Sequence, residues 1–475
     1  MPRSSGYLFR SSIVASLGGF LFGFDTVVIS GAEQTIQALW ELSDLQHGLA
    51  MSIALWGTVV GALAGGVPTD QLGRRPTLIG IGVLYFVSAL WSAIAGDVYS
   101  FMAARFIGGL GVGASTVAAP LYISEIAPAN LRGRLAGMFQ FNIVFGILVA
   151  FLSNALIANL GDTAWRWMLG VEAAPALVYT LLCFAIPESP RWLISHRGGG
   201  EQAKQVLHKL NPNLSENQID EAVNAIAQSA EELPPAGKRS EETATDPSDN
   251  PFESSPRLLD RCSAGSETSF CSVAMRKPIL LVFLIAMFNQ LSGINAVLYF
   301  APRIFALTGL EQEAALLQSI GIGFTNLVFT FVGLWLIDRL GRKTLLIIGS
   351  IGYIVSLGLC SWAFAAESFA IVPACLFAFI ASHAVGQGAV IWVFITEVFP
   401  TQHRAAGTAL GCSTHWVAAA LLTLFFPSLV VRFSPAGLFL FFTGMMVLQL
   451  VWVLLMVPET KGVPLEEIEQ KLGVR

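Results

Sequence analysis

Charge is scarce in this sequence. Asp, Glu, Lys and Arg make up 12% of its 475 residues, against about 25% in ordinary soluble domains. With 54% hydrophobic residues and so few charges, a soluble fold could not hide its apolar surface, so a bilayer is the better solvent. An excess of positive charge is also missing. The 27 Lys and Arg are outnumbered by 32 Asp and Glu, for a net charge of −5, and no basic face is available for nucleic-acid phosphates. Cysteine is sparse: Cys183, Cys262, Cys271, Cys360, Cys375 and Cys412 form no C-x-x-C, so neither a disulfide frame nor a zinc site is indicated. Four of them lie in apolar runs, where cysteine is usually a small buried hydrophobe. No nucleophile–base pair, metal cluster or phosphate loop is found, which excludes an enzyme and leaves no cofactor or metal expected. The opening MPRSSGYLFRSS is too short to lead a signal peptide, so the first apolar run is expected to stay as a membrane helix.

What the sequence does contain is long apolar runs. A membrane helix needs about 20 predominantly apolar residues, and twelve stretches qualify. Six fall at about 8–31, 48–68, 77–95, 98–123, 135–158 and 166–186; six more fall at 278–301, 313–337, 344–364, 368–396, 405–430 and 434–457. The expectation is an all-α membrane protein with a six-helix bundle over 1–186, a linker over 187–277, a second bundle over 278–457 and a tail over 458–475. The linker holds 14 acidic and 10 basic residues of the chain's 59 charges. Its first part, Glu201 to Ala230, has helical apolar spacing; 231–272 is rich in Pro, Ser, Glu and Asp and reads as disordered.

Lys and Arg set the expected orientation. The termini, the linker and the segments joining spans 2–3, 4–5, 8–9 and 10–11 hold 23 of the 27 basic residues; the opposite side holds Arg166, Arg303 and Arg432. The termini and linker are therefore expected in the cytoplasm. Arg105 sits inside an apolar run.

The two halves repeat. Asp70-Gln-Leu-Gly73-Arg74-Arg75 recurs as Asp338-Arg339-Leu-Gly341-Arg342-Lys343, offset by 268 residues. Ser124-Glu125-Ile-Ala-Pro128, leading to Arg132, recurs as Thr396-Glu397-Val-Phe-Pro400, leading to Arg404, offset by 272. Pro187-Glu188-Ser-Pro-Arg191 recurs as Pro458-Glu459-Thr-Lys461, offset by 271. Near-constant offsets imply two homologous bundles, an architecture that binds substrate at the midplane between halves and works by alternating access.

These motifs resemble the major facilitator superfamily. PESPRWL at 187–193, QLSGINAVLYFAP at 290–302 and PETKG at 458–462 resemble its sugar porter family in particular. So does the stretch from Arg105 through LYISEIAPANLRGR to Gln140, and FGFDTVVISGA at 22–32 is similar to bacterial proton-coupled symporters. The resemblance implies a multi-pass inner-membrane transporter that takes a small sugar as partner, with a proton as coupling ion. A monomer is expected.

Asp25 reads as a lone acid at membrane depth, where a charge costs about 2.5–3.5 kcal/mol on insertion scales and so faces the bundle interior. Arg105 is its natural partner. The two form either a fixed ion pair or a site whose proton affinity changes with environment; the resemblance implies the second, a proton-coupling pair. For sugar, neutral amides offer donors and acceptors together. The resemblance puts Gln140, Asn289, Gln290, Asn295 and Asn326 at sugar-contacting positions, with Trp392 as the aromatic contact and Gly388 one turn before it. Phe22, Phe24, Tyr299 and Trp416 are candidate walls. His415 stands where relatives carry an amide; it either bonds sugar or satisfies a neighbouring helix. Ala384 stands where animal glucose facilitators carry Glu.

The repeated charges read as a latch on the terminal side: Asp70, Arg74, Arg75, Glu125 and Arg132 in one half, Asp338, Arg342, Lys343, Glu397 and Arg404 in the other. Pairing between the sets would close that side. Gly108, Gly109, Gly111 and Gly113 read as close-packing positions. The function expected is inward transport of a monosaccharide, glucose or a related hexose first, by proton symport. The alternatives are an uncoupled facilitator and a non-transporting sugar sensor, the latter disfavoured by the short tail.

Overall fold

The computed structural model describes residues 6–128, 131–197, 199–212, 214–231, 270, 272–400, 403–463, 467–468 and 472; of Arg132 it describes the backbone alone. The stretch expected to be disordered, 231–272, falls almost wholly outside the described residues.

Among the described residues, ten helices are long and apolar enough to cross a membrane. Breaks in the chain account for the difference from twelve. Span 6 is two short helices, Ala164–Gly170 and Ala173–Cys183, neither long enough alone. Spans 11 and 12 run on as Arg404–Met456 but are separated at Ser434, whose φ of 60° breaks the helix just ahead of Pro435. Spans 1 to 5 are Gly6–Val28, Asp44–Ala64, Arg74–Ile94, Val98–Ile126 and Arg132–Ile157. Span 7 is split into Arg276–Leu291 and Ile294–Tyr299 at Gly293, whose φ of 87° favours glycine. Spans 8 and 9 are Gln312–Leu340 and Arg342–Ala365; span 10 is Val372–Val385 and Gln387–Glu397.

The packing repeats as the motifs do. Span 1 packs on 5, 2 on 4 and 3 on 6; in the second half, 7 packs on 11, 8 on 10 and 9 on 12. The halves meet through span 2 against 11 and span 5 against 8, a pair of contacts that the repeat exchanges. Glycines permit the closest approaches. A Cβ at Gly109 would run into the Ala54 carbonyl and one at Gly113 into that of Thr58, so spans 2 and 4 can touch only without side chains there. Gly108 instead lies over Ser88 and Asp25. Outward-facing Leu156, Val431 and Leu455 are more than two-thirds exposed, as a lipid-facing surface requires.

Among the described residues, the apolar core that joins the halves lies toward one face. A single apolar core runs through the second half and crosses to Val28, Ile36, Met51, Phe151 and Trp165 of the first, on the face opposite the termini. Toward the termini the first half keeps its own core around Tyr85, Tyr122 and Ile126. Among its described residues the linker adds the helices Pro190–Arg197, Gly200–Leu210 and Glu216–Glu231, the last two tied by a Lys204–Asp220 ion pair at 2.6 Å.

Candidate functional site

In the first half, span 4 delivers Arg105 to span 1. Its Nη1 donates to Asp25 Oδ1 at 2.6 Å, and Nη2 donates to the Asp25 backbone carbonyl at 3.0 Å. Both side chains are about 97% buried. Asp25 is not a lone acid, however. Glu172, at the break in span 6, is 1% exposed and its carboxyl interacts with Asp25 and Arg105. Two buried carboxyls therefore lie in the field of one guanidinium, and Asp25 is the one bonded to it. Buried Tyr85 adjoins both acids, and Tyr85 Oη, Ser88 Oγ and Glu172 Oε1 have no hydrogen-bond partner, so the cluster holds unspent bonding capacity.

In the second half the interior is neutral. Asn295 Nδ2 donates to Gln290 Oε1 at 2.8 Å, and Gln290 Nε2 donates to Asn289 Oδ1 at 2.9 Å. The same Gln290 nitrogen lies 3.2 Å from His415 Nε2. The His415 ring is 5.0 Å from Trp392 and 4.9 Å from Trp416, centroid to centroid, and Trp416 is 5.6 Å from Phe22 of the first half. An amide chain thus ends on an aromatic arc that crosses between halves. Gln140 and Asn326 lie on spans 5 and 8, which join the halves.

Three other expected positions, two walls and Gly388, have their own surroundings. Phe24 pairs with Phe20 of its own helix at 5.9 Å and is buried in the core that Phe22 also packs against. Tyr299 is buried in the apolar core and lies within electrostatic range of Arg105 and Asp25. A Cβ at Gly388 would meet the His383 carbonyl at 3.0 Å, so its open side is filled by its own span at the break after Val385.

Among the described residues, the latch charges that form ion pairs do so within each half. Arg74 donates to both Glu125 oxygens at 2.9 and 2.8 Å and lies 3.1 Å from Asp70. Arg342 does the same with Glu397 at 3.2 and 2.8 Å, with Asp338 at 3.5 Å. Arg75 donates to the Phe184 carbonyl and Lys343 to that of Leu454, each anchoring the end of span 6 or 12. Arg404 Nε and Nη2 are buried without partners, and the Arg132 side chain lies outside the described residues. Two glutamates were not singled out from the sequence. Glu188 Oε1 accepts from the backbone N–H of Arg74 and Arg75, and Glu459 accepts from those of Arg342 and Lys343. Each closes the start of a helix, where free N–H groups and the dipole favour an anion. The repeated P-E-[ST] pattern was their signal.

A third buried acid lies on the face opposite the termini. Glu33 is fully buried, accepts from Arg303 Nε at 3.0 Å and has its other oxygen 2.8 Å from Arg303 Nη2. Burial lifts its carboxyl to about 7, against the pull of the Arg303 charge.

A two-bundle membrane fold with a charged interior in one half and an amide–aromatic interior in the other defines a secondary transporter of a small polar solute. The chain matches the family described as "Sugar (and other) transporter" over residues 11–472 and belongs to it. It is a multi-pass sugar transporter of the major facilitator superfamily and not an enzyme. It is similar to the D-xylose-proton symporter of Escherichia coli K12, at 34% identity over 98% of this chain and 96% of the relative. A glucose transport protein of Synechocystis is 33% identical over 96% of this chain and 95% of its own. Among solved structures, the inward-open form of the E. coli xylose transporter XylE superposes with a TM-score of 0.81 at 31% identity, covering 98% of this chain and all of that one. XylE bound to 6-bromo-6-deoxy-D-glucose gives 0.74 at 32% identity, covering 98% and 99%.

Proposed function

We propose that this protein is a proton symporter for an aldose monosaccharide, glucose first, with both termini in the cytoplasm. The observation that carries the coupling is the buried Asp25–Arg105–Glu172 cluster. Two acids and one base in a dry site cannot all stay charged cheaply, so one carboxyl holds a proton readily. When the cluster meets water, solvation favours the ionised carboxylate and that proton leaves. Relatives named for proton symport of D-xylose and of arabinose support the reading. The Asn289–Gln290–Asn295 chain supplies both donors and acceptors to ring hydroxyls, and Trp392 with Trp416 and Phe22 supplies apolar faces for the sugar's C–H groups. Glucose and xylose share those ring hydroxyls and differ in one hydroxymethyl group, so the site's room beside His415 decides between them. The test is uptake into vesicles of glucose, galactose, xylose and arabinose, with and without an imposed proton gradient. Accumulation of one sugar that depends on the gradient supports symport; equal equilibration with and without it means an uncoupled facilitator.

A further inference from the structure

The Glu33 cluster takes no part in either interior site, yet it is built with care. Glu33 stands just beyond span 1, on the short helix Glu33–Leu39, and its side chain is wholly enclosed. His47, at the start of span 2, is also enclosed, with Nε2 3.0 Å from Glu33 Oε2 but poorly aligned for a hydrogen bond. Arg303 comes from the other half, on the helix Ala301–Ala306 that follows span 7. Besides Glu33, it donates to Gln37 Oε1 at 2.5 Å, and Gln37 in turn donates to Asp44 at 3.4 Å. Among the described residues no other ion pair joins the two halves.

The other basic residues on this face do not reach across. Arg166 lies over the Trp165 ring at 4.3 Å and donates to the Ala93 carbonyl, both in its own half, and Arg432 is exposed. Close packing surrounds the pair: a Cβ at Gly48 of span 2 would collide with the Leu424 carbonyl of span 11. Since Glu33, His47 and Gln37 travel with one half and Arg303 with the other, separation of the halves here must break the pair.

We propose that Glu33 and Arg303, with His47 and Gln37 beside them, form a buried ionic lock that holds the face opposite the termini shut and parts each time that face opens for sugar. The lock rests on the alternating-access reading given above and adds to it the residues that set the balance between its two states. Glu33 has no exposed route to water while the lock is shut, so loss of Arg303 leaves a carboxyl that is better solvated once the face opens. Loss of Glu33 is milder, because the Arg303 side chain is 21% exposed and can turn outward.

Pulsed electron–electron resonance between spin labels tests this directly. Ala38→Cys and Glu311→Cys place labels on exposed residues of opposite halves at this face, in a chain whose six native cysteines are replaced. The parent should show a short distance. Arg303→Ala and Glu33→Gln should each add a longer-distance population, raising the open-to-shut ratio by about tenfold or more for Arg303→Ala. The double variant Glu33→Gln/Arg303→Gln, which buries no charge, should open less than the two single effects combined. Arg166→Ala should change nothing. A parent-like distribution in Glu33→Gln, which keeps size and shape and is expected to fold, overturns the lock; so does equal opening by Arg166→Ala. The distances are read without transport, so a failure of sugar uptake in vesicles would count against the proposed substrate and leave the lock standing.

Discussion

The two halves share a scaffold and differ in what they bury. At the 268-residue offset, Tyr85 and Ser88 of the first half match Tyr353 and Ser356 of the second. At the offsets of 272 and 271, Arg105 and Glu172 match Phe377 and Thr443. The tyrosine was kept and the charges were not. Tyr85 therefore sits beside carboxyls, while Tyr353 has its hydroxyl 2.6 Å from His383 Nδ1. Nearby, Gln387 donates to Gln449 and Gln449 to Ser350, again without formal charge. A duplicated bundle can thus divide labour: ionisable chemistry in one copy, neutral hydrogen bonding in the other. Keeping the Asp25–Arg105–Glu172 cluster in one copy spares the matching positions of the other copy that desolvation cost.

The largest expected effect attacks that division where it is sharpest. Arg105→Ala strands two buried carboxyls and should cost about 3–5 kcal/mol of stability, read as a sharp fall in thermal midpoint and yield in detergent. Asp25→Asn leaves Arg105 with Glu172, so it should fold, yet lose accumulation of sugar against a gradient while retaining exchange. Phe377→Leu, at the position matching Arg105, should leave gradient-driven accumulation intact. If Asp25→Asn concentrates sugar as the parent does, the first half does not house the coupling.

The next effect belongs to the second half. Gln290→Ala removes the centre of the amide chain and should weaken sugar binding by roughly two- to tenfold, the equivalent of about 0.5–1.5 kcal/mol. Trp392→Ala should lose more, since apolar contact and an indole donor go together. Cys375→Ala, in the core of the same half, should bind like the parent. Equilibrium binding of labelled sugar to variants of matched thermal stability decides it; parent-like affinity in both Gln290→Ala and Trp392→Ala would place the sugar elsewhere.

How much of this could be read from the sequence depended on whether a feature was local. Hydropathy gave the spans, and repeated motifs gave the two bundles, because both signals lie within one stretch of chain. The Asp25–Arg105 pair was legible because few charges lie at depth. Glu172 was legible by the same criterion, in the run WRWMLGVEAAPAL, but was passed over. Helical periodicity also places Phe22 and Phe24 on different sides of span 1. The Glu33–Arg303 contact was not legible: its partners are 270 residues apart and nothing local to either announces the other. The within-half pairing of the latch charges was equally hidden, since matched motifs say that two sets exist and not whether they meet.

The smallest expected effect tests where the halves should behave alike. Glu188 and Glu459 perform one task in two copies, each accepting backbone N–H groups at the start of span 3 or span 9. Replacing the carboxylate by a neutral amide keeps size and part of the hydrogen bonding but removes the anion from the helix dipole, which costs about 0.3–1 kcal/mol at each site. Glu188→Gln and Glu459→Gln should therefore lower the thermal midpoint by similar small amounts, and the double variant by about their sum, because the two sites share no partner. One copy has an extra support: Thr460 Oγ1 donates to Glu397 Oε2 at 2.7 Å, binding the end of span 12 to the Arg342–Glu397 pair. Thr460→Val should thus sensitise the second half to Glu459→Gln, giving a loss greater than the sum within that half. Unequal effects of the two single glutamine variants, with Thr460 intact, would show that the copies have diverged at their helix starts as they have in their interiors.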